Sequence, residues 1–257
     1  MAKLRLPQRM AQLSQEIMGM NTQPLRIYIC THKDFQPIVS NPIYEVVDSR
    51  MLNGDMFKNG LHGSFYSELF HYYHIARRDN LPDFIGVCGY RKYFSFLDNV
   101  PDILRIFKNH DAIAPTPFAA FPRTIRQNHN LFANIEDLNI TENIIRVHYP
   151  FLYDVFEKSL DTNISYFYNM FILRREDFFD IVNIVFDILD KYLSIVGLDI
   201  KGRIASNPKA YHIGETNMLT PPYQYRIGGF LAERITNAWL LYRFHNIKHY
   251  DVIKYNK

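Results

Sequence analysis

The chain has 257 residues, of which 47% are hydrophobic and 21% charged, so it can bury a sizeable core and is not intrinsically disordered. Its net charge of +3 is too small for a dedicated nucleic-acid binder, although it suits an anionic ligand or a membrane surface. Cys30 and Cys88 lie in apolar runs without zinc-binding spacing, which indicates buried thiols in a reducing cytoplasm.

The N-terminal residues predict a separate helical extension. Met10, Leu13 and Ile17 recur at helical spacing, so residues 1–22 read as an amphipathic helix before a single domain at 23–257. This helix would pack on the domain or on another chain; the alternative is a peripheral membrane contact. Because the sequence shows no signal peptide and no apolar run of membrane-spanning length, we expect a cytoplasmic protein, or one held at the cytoplasmic membrane face.

Strand and helix patterns alternate along the rest of the chain. Strands are predicted at 25–30, 43–47, 84–88, 111–114, 166–173 and 250–255, helices at 64–78, 141–160, 176–196 and 229–244, and Gly/Asn-rich loops at 53–63 and 197–222. Ser64, Ser67 and Glu68 resemble a helix start, where Glu68 is interpreted as an ordinary first-turn acid. The alternation predicts the α/β class, with a largely parallel sheet and helices on both faces.

The segment 83–96, DFIGVCGYRKYFSF, combines a buried strand with two adjacent cations among aromatic residues. Ligands of open α/β sheets bind beyond the carboxyl ends of the strands, which is where Tyr90, Arg91 and Lys92 would lie. Arginine and lysine at that position favour a phosphate ligand. The alternative is that both cations only extend from the sheet end beside packed tyrosines.

Several familiar site motifs are absent from the sequence. It contains no G-x-G-x-x-G after the first strand, no G-x-x-x-x-G-K-[ST] and no G-x-S-x-G, which disfavours a dinucleotide fold, a P-loop and a serine hydrolase. His71 and His74 share one predicted helix but lack a third ligand in sequence. No metal site is therefore predicted.

Three ordered segments resemble a bacterial family of uncharacterised domains associated with capsule, exopolysaccharide and lipopolysaccharide O-antigen synthesis. They are RIYICTHK at 26–33; YSEL at 66–69 with FIGVCGYRKYFSF at 84–96; and NMFILRREDF at 169–178 with RIGGFLAERITNAWL at 226–240. They are similar to segments of its sugar-nucleotide-dependent glycosyltransferases, and order and spacing agree over residues 25–245. One departure is Gly89, where the family usually has histidine, so a contact to donor or acceptor can differ here.

The resemblance implies a GT-A-like, nucleotide-binding fold. In that fold an Asp-x-Asp sequence commonly holds a divalent metal on the donor diphosphate, but this chain has none. We therefore expect no metal cofactor, with Arg91 and Lys92 neutralising the leaving diphosphate instead. The predicted donor and diphosphate residues are Thr31, His32, Lys33, Tyr90, Arg91, Lys92 and Arg234.

Inverting glycosyl transfer also needs a base for the acceptor hydroxyl. Glu233, after a Gly-Gly pair, and Asp111, at the start of a predicted strand, are the candidates. Glu233 could equally be a helix acid stabilised by the helix dipole. The predicted acceptor residues are Asn169, Met170 and His129. The alternatives are that Asn169 only caps a strand and that His129 is a solvated loop histidine.

The resemblance thus implies a hexosyltransferase that moves a sugar from a nucleotide-sugar donor to a glycan or lipid-linked acceptor in surface polysaccharide synthesis. The resemblance favours a UDP-hexose, including galactose in pyranose or furanose form, without defining the sugar. The alternatives are a non-catalytic nucleotide- or sugar-binding module and a nucleic-acid-binding protein. The scattered cations disfavour the last, since nucleic-acid binding needs a continuous basic face.

Overall fold

The computed structural model describes residues 24–52 and 64–255. The predicted helix at 1–22 and the predicted loop at 53–63 lie outside the described residues. The strands are β1 Leu25–Thr31, β2 Tyr44–Asp48, β3 Phe84–Gly89, β4 Lys92–Phe94, β5 Ala112–Pro115, β6 Phe118–Ala119, β7 Ile164–Ser165, β8 Phe171–Arg174, β9 Ile247–Tyr250 and β10 Val252–Lys254. The helices are α1 Leu69–Ile75, α2 Ile103–Ile106, α3 Ile125–Phe132, α4 Ile135–His148, α5 Pro150–Asp161, α6 Arg175–Val196, α7 Ile200–Ser206, α8 Pro221–Gln224 and α9 Ile227–Arg243.

A mixed sheet forms the centre of the fold. β3 lies between β1 and β8; β2 lies outside β1, β5 and β9 follow β8, and β4 and β10 continue from the end of β3. The pairings give β1, β2, β3, β5, β9 and β10 one direction, and only β4 and β8 of this sheet's described strands run against them. The prediction of an α/β fold with a largely parallel sheet is confirmed.

The two faces of the sheet bury different apolar clusters. Along β1, Tyr28 and Cys30 join one cluster, whereas Ile27 and Ile29 join the other, because successive strand residues point to opposite faces. The first cluster is completed by α1, α4, α5, α6 and α9 through Leu69, Leu138, Leu152, Phe178 and Leu231. The second is covered by Ile103 of α2 and by the segment containing Phe35 and Ile38. No described helix is long and apolar enough to cross a membrane.

Some predicted element boundaries were wrong, for identifiable physical reasons. Residues 64–68 form turns and α1 begins only at Leu69. The helix predicted at 141–160 is two helices, because Pro150 has no N–H to donate and begins α5. The strand predicted at 166–173 begins only at Phe171, since Tyr168 and Asn169 adopt φ angles of 78° and 51°.

Other elements were missed or merged. The predicted loop at 197–222 contains α7 and the start of α8. The predicted strand at 250–255 is the end of β9 and the whole of β10, which pair with β5 and β4 respectively. Helix α3 was not predicted, although Thr124 and Gln127 form a capping box at its start.

Candidate functional site

A cavity of about 580 Å³ opens at the carboxyl ends of β1 and β3. Cys30 of β1 is paired with Gly89, the last residue of β3, and both line the cavity. Because β8 runs antiparallel to β3, the residue Tyr168 before β8 reaches the same edge of the sheet and also lines it. The cavity therefore lies where ligands of open α/β sheets bind.

The polar lining comes from strand ends, turns and the start of α9. Its charged and hydrogen-bonding side chains include His32, Ser67, Glu68, His71, Tyr90, Arg91, Lys92, Tyr168 and Arg226. Only Glu68 among these carries a negative charge, whereas Arg91, Lys92 and Arg226 are cations. The described lining is thus positive overall and suits an anionic ligand.

Two glycines of α9 allow the turn at 64–68 to approach the helix closely. A Cβ on Gly228 would lie 2.8 Å from the Phe65 carbonyl oxygen, and one on Gly229 would lie 2.8 Å from the Ser67 Cβ. The Gly229 N–H also donates to the Phe65 carbonyl at 3.1 Å. This contact fixes the turn that carries Glu68 into the cavity.

The Glu68 carboxylate is held from both sides. Its Oε2 accepts a hydrogen bond from Ser67 Oγ at 2.6 Å, and its Oε1 accepts one from Asn169 Nδ2 at 3.0 Å. Arg226 Nη2 lies 3.9 Å from Oε2 and donates to Ser67 Oγ at 3.0 Å. Burial alone would raise the pKa of Glu68, but the Ser67 bond and the Arg226 charge outweigh it and lower that pKa. The group is therefore a carboxylate at neutral pH.

The cations approach the cavity from separate elements. Arg91 is exposed in the turn after β3, and its guanidinium carbon lies 5.1 Å from the centre of the Tyr90 ring. Lys92 Nζ lies 4.1 Å from the centre of the Tyr168 ring. Burial lowers the pKa of Lys92, while the carboxylates of Glu68 and Glu233 act to raise it. A phosphate beside Lys92 would further favour its charged form.

His32 and Tyr90 form one wall of the cavity. Their rings meet edge to face with centroids 5.3 Å apart. Burial, and secondarily the charge of Lys33, lower the pKa of His32, so its imidazole is neutral at pH 7. His71 Nε2 is within 2.7 Å of the Thr31 carbonyl, to which it donates, so this ring is occupied in joining α1 to the end of β1.

The predicted donor residues divide into two groups. His32, Tyr90, Arg91 and Lys92 line the cavity together, as expected of a phosphate site. The others do not line it. Thr31 is buried with its Oγ1 donating to the Lys33 carbonyl at 2.8 Å, and Lys33 Nζ lies 5.2 Å from the Tyr90 ring centre. Arg234 is buried and donates to Glu233 at 2.7 Å, so its guanidinium is paired inside the protein.

The two predicted bases occupy very different places. Glu233 lies behind Tyr168: its Oε1 accepts from the Tyr168 backbone N–H at 3.2 Å, and its Oε2 accepts from Arg234. Asp111 lies before β5, and because β5 runs parallel to β3, it is at the opposite edge of the sheet from the cavity. Its Oδ2 accepts from the backbone N–H of Asn246 at 3.1 Å. The structure therefore separates Asp111 from the cavity.

The structure buries all three predicted acceptor residues. His129 does not lie in a loop: it is on α3 and is only 1% exposed. Met170 is a core residue of the second apolar cluster. Asn169 is buried too, but it touches the site through its hydrogen bond to Glu68.

Sequence reasoning missed Glu68, Tyr168 and Arg226 as site residues. The sequence pattern indicates a first-turn helix acid at Glu68, yet this residue precedes α1, lines the cavity and has a side chain that is 24% exposed. The paired glycines at 228 and 229 were the available signal, because they mark a close backbone approach next to Arg226.

A divalent metal of the kind that GT-A-like folds hold would need oxygen or nitrogen ligands from the cavity lining. Glu68 is the only carboxylate among the described lining residues, and both its oxygens already accept hydrogen bonds. Within residues 24–52 and 64–255, no group of three or more His, Cys, Asp or Glu side chains could hold a metal ion. This donor set does not fit a divalent cation, so we derive no step through one.

Comparisons with known proteins give a family model that matches the chain and a solved structure with a similar fold. Residues 26–202 match a family model described as a domain of unknown function, DUF4422. The apo structure of WbbM, a bifunctional glycosyltransferase, is similar with a TM-score of 0.68 and 18% sequence identity. The match covers 91% of this chain but 45% of WbbM, so the chain spans less than half of that protein. No curated protein matches the sequence significantly.

Proposed function

This chain belongs to the DUF4422 family, and from that premise we propose that it is a glycosyltransferase whose donor nucleotide sugar binds in the cavity beyond β1 and β3. The observation that carries the proposal is the positive lining: Arg91, Lys92 and Arg226 surround a site whose described lining residues include one carboxylate, Glu68. The fold shared with WbbM supports it, because that protein is a glycosyltransferase.

The charges suit a nucleoside diphosphate leaving group. As the bond between the sugar and the diphosphate breaks, negative charge grows on the departing oxygens. Arg91 can contact two phosphate oxygens at once through its planar guanidinium, whereas Lys92 supplies a compact charge beside Tyr168. Fixed cations of this kind stabilise the transition state without a metal ion.

The proposed donor is a UDP-hexose, with galactose in pyranose or furanose form among the candidates. The proposed acceptor is a glycan or a lipid-linked glycan of a bacterial surface polysaccharide, as the family resemblance implies. Peripheral contact with the cytoplasmic membrane face would place the protein beside a lipid-linked acceptor. The donor nucleotide and sugar would contact Tyr90, Tyr168 and Gly89, which line the same cavity.

A two-stage experiment tests this function. Melting temperature is first measured with nucleosides, nucleoside diphosphates, nucleotide sugars and an oligonucleotide; a ligand at 100 times its Kd stabilises the folded state by about 2.7 kcal/mol. Stabilising donors are then incubated with glycan acceptors, and released nucleoside diphosphate and the new glycan are both measured. We expect stabilisation by nucleoside diphosphates and transfer from one nucleotide sugar.

The other outcomes distinguish the alternatives. Stabilisation by nucleoside diphosphates without transfer to any acceptor would favour the non-catalytic binding module. Stabilisation by the oligonucleotide alone would contradict both and favour a nucleic-acid-binding protein.

A further inference from the structure

The carboxylate of Glu68 has the surroundings of a reacting group. It lies in the cavity with its side chain 24% exposed, and each oxygen accepts one hydrogen bond, from Asn169 and from Ser67. A carboxylate oxygen has two lone pairs, so each oxygen keeps capacity for another proton or hydroxyl group. Glu68 can therefore receive a proton without losing the contacts that hold it.

A rigid frame fixes the position of that carboxylate. Asn169 adopts a left-handed backbone conformation with φ of 51°, and its carbonyl accepts a hydrogen bond from Tyr72 at 2.6 Å. On the other side, Ser67 has φ of 53° and packs against Gly229. Such conformations are costly for residues with a Cβ and are retained where the surrounding structure determines them, often at functional sites. Reacting groups need this kind of support.

Glu233 lacks the same opportunity. It does not line the cavity, and its oxygens accept from the Tyr168 N–H and from Arg234. The bond to Tyr168 fixes the segment that precedes β8, which also carries Asn169 and so the hydrogen bond to Glu68. Glu233 is thus placed to position the site rather than to meet a substrate.

We propose that Glu68 is the catalytic base that takes the proton of the acceptor hydroxyl, and that Asn169 and Glu233 are positioning residues. The assignment rests on the proposed function. In the step, the acceptor oxygen forms a bond to the anomeric carbon while its proton passes to a Glu68 oxygen. The bond between the anomeric carbon and the diphosphate oxygen breaks, and its electron pair leaves with the nucleoside diphosphate between Arg91 and Lys92.

The direct test compares two isosteric variants, Glu68→Gln and Glu233→Gln, with the same donor and acceptor. Glu68→Gln should lower kcat by about 10²–10⁴-fold, the usual contribution of a general base, while donor affinity is retained and the variant stays folded at the assay temperature. Glu233→Gln should lower kcat by less than about tenfold, because it acts only through the Tyr168 segment.

Failure of this assignment is separable from failure of the proposed function. If the wild-type protein transfers sugar and Glu68→Gln keeps kcat within about threefold, the base assignment is wrong but the function stands. A covalent glycosyl adduct on Glu68 in mass spectrometry would also overturn it, because the group would then be a nucleophile. If the wild-type protein transfers no sugar from any nucleotide sugar, the proposed function itself fails.

The positioning role of Asn169 has its own readout. Asn169→Asp keeps the size of the side chain but replaces the donor to Glu68 with a negative charge. Like charges raise the pKa of a carboxylate, so the acid limb of the kcat/KM profile should move to higher pH in this variant. A lower melting temperature with an unmoved acid limb would show that Asn169 is merely structural.

Discussion

Two regions of the molecule place a carboxylate beside an arginine, and they differ in the balance of positive and negative charge around that carboxylate. Between α4, α6 and α7, Asp137 accepts hydrogen bonds from Tyr192 and Arg203, and its side chain is only 2% exposed. At the sheet edge, Glu68 is more open and lies among three cations. The interior site pairs one carboxylate with one arginine, whereas the described lining of the cavity holds three cations and one carboxylate.

The pKa values of the two carboxylates move in opposite directions. Burial raises the pKa of Asp137, even though Arg203 and Tyr192 act to lower it. For Glu68, the Ser67 hydrogen bond and the Arg226 charge outweigh burial and lower the pKa. An ion pair inside the helical layer is thus a structural feature, while the cavity maintains a charged carboxylate beside cations that can receive an anionic ligand.

The largest expected effect on folding comes from Asp137→Ala. Removing this carboxylate leaves Arg203 and Tyr192 without their buried partner, which should lower the free energy of unfolding by about 3 kcal/mol. The control is Asp187→Ala on the same helical layer, which removes a partly exposed ion pair with Lys191 and a hydrogen bond from Tyr149 and should cost only about 1 kcal/mol. Urea denaturation of both variants measures the difference. Equal losses of unfolding free energy in the two variants would contradict a stabilising role of the pair between Asp137 and Arg203.

The next effect concerns the glycines that shape the cavity. Gly228→Ala puts a Cβ 2.8 Å from the Phe65 carbonyl oxygen and should lower the free energy of unfolding by about 1–3 kcal/mol through overpacking. A Cβ on Gly89 meets nothing within 4 Å, so Gly89→Ala should fold as the wild type does. Thermal denaturation distinguishes them. A melting temperature for Gly228→Ala equal to that of Gly89→Ala would contradict the close packing of the turn on α9.

A smaller effect follows from the opposite pKa shifts. The stability due to Glu68 is present above its unfolded pKa of about 4.3 and is lost as pH falls through the lower folded pKa. The part of the stability that depends on the titration of Asp137 is present below its unfolded pKa of about 3.9 and is lost as pH rises through the higher folded pKa, while the contacts with Arg203 and Tyr192 remain. As pH rises through this acidic range, the melting-temperature deficit of Glu68→Gln should grow and that of Asp137→Asn should shrink. If the two melting-temperature deficits changed with pH in the same direction, the opposite pKa shifts of Glu68 and Asp137 would be contradicted.

The smallest expected effect is that of a chelator. On the proposal that Arg91, Lys92 and Arg226 supply the charge beside the leaving group, EDTA should change the transfer rate by less than about twofold. The assay is run with and without EDTA, and with added manganese or magnesium. An absolute need for either ion would show that carboxylates distant in sequence converge on a metal, and the role of the cations would have to be revised.

Much of the fold was predictable because its strands carry strong local signals. The apolar run in β3 ends at Gly89 and is followed by Tyr90, Arg91 and Lys92, and the structure has these three residues in the lining of a cavity at that strand end. Helix α3 was not predicted because it is short and most of its first turn is polar, although Thr124 and Gln127 mark its start. Its burial of His129 depends on tertiary packing that no local pattern reports.

The choice between carboxylates was not predictable from sequence. Glu68 follows Ser67 and Glu233 precedes Arg234, and each lies in one of the segments that resemble the family. Both are also within the first turns of a predicted helix. Which of them lines the cavity depends on the left-handed turn at Ser67 and on its approach to Gly229. The glycine pair marks the approach in the sequence, but no residue pattern marks the turn. The position of Asp111 was not predictable either, because the direction of β5 decides at which end of the strands the residue before β5 lies.

The most direct measurement of the central claim is a calorimetric titration of the wild-type protein, Arg91→Ala and Arg146→Ala with a nucleoside diphosphate. Arg91 lines the cavity, whereas Arg146 is exposed on α4 and does not, which makes it the matched control. We predict that Arg91→Ala weakens binding by about 1.5–3 kcal/mol, the usual size of a charged hydrogen bond, while Arg146→Ala binds as the wild type does. Unchanged affinity in Arg91→Ala, with its melting temperature intact, would contradict the claim that this cavity binds the diphosphate of a nucleotide sugar.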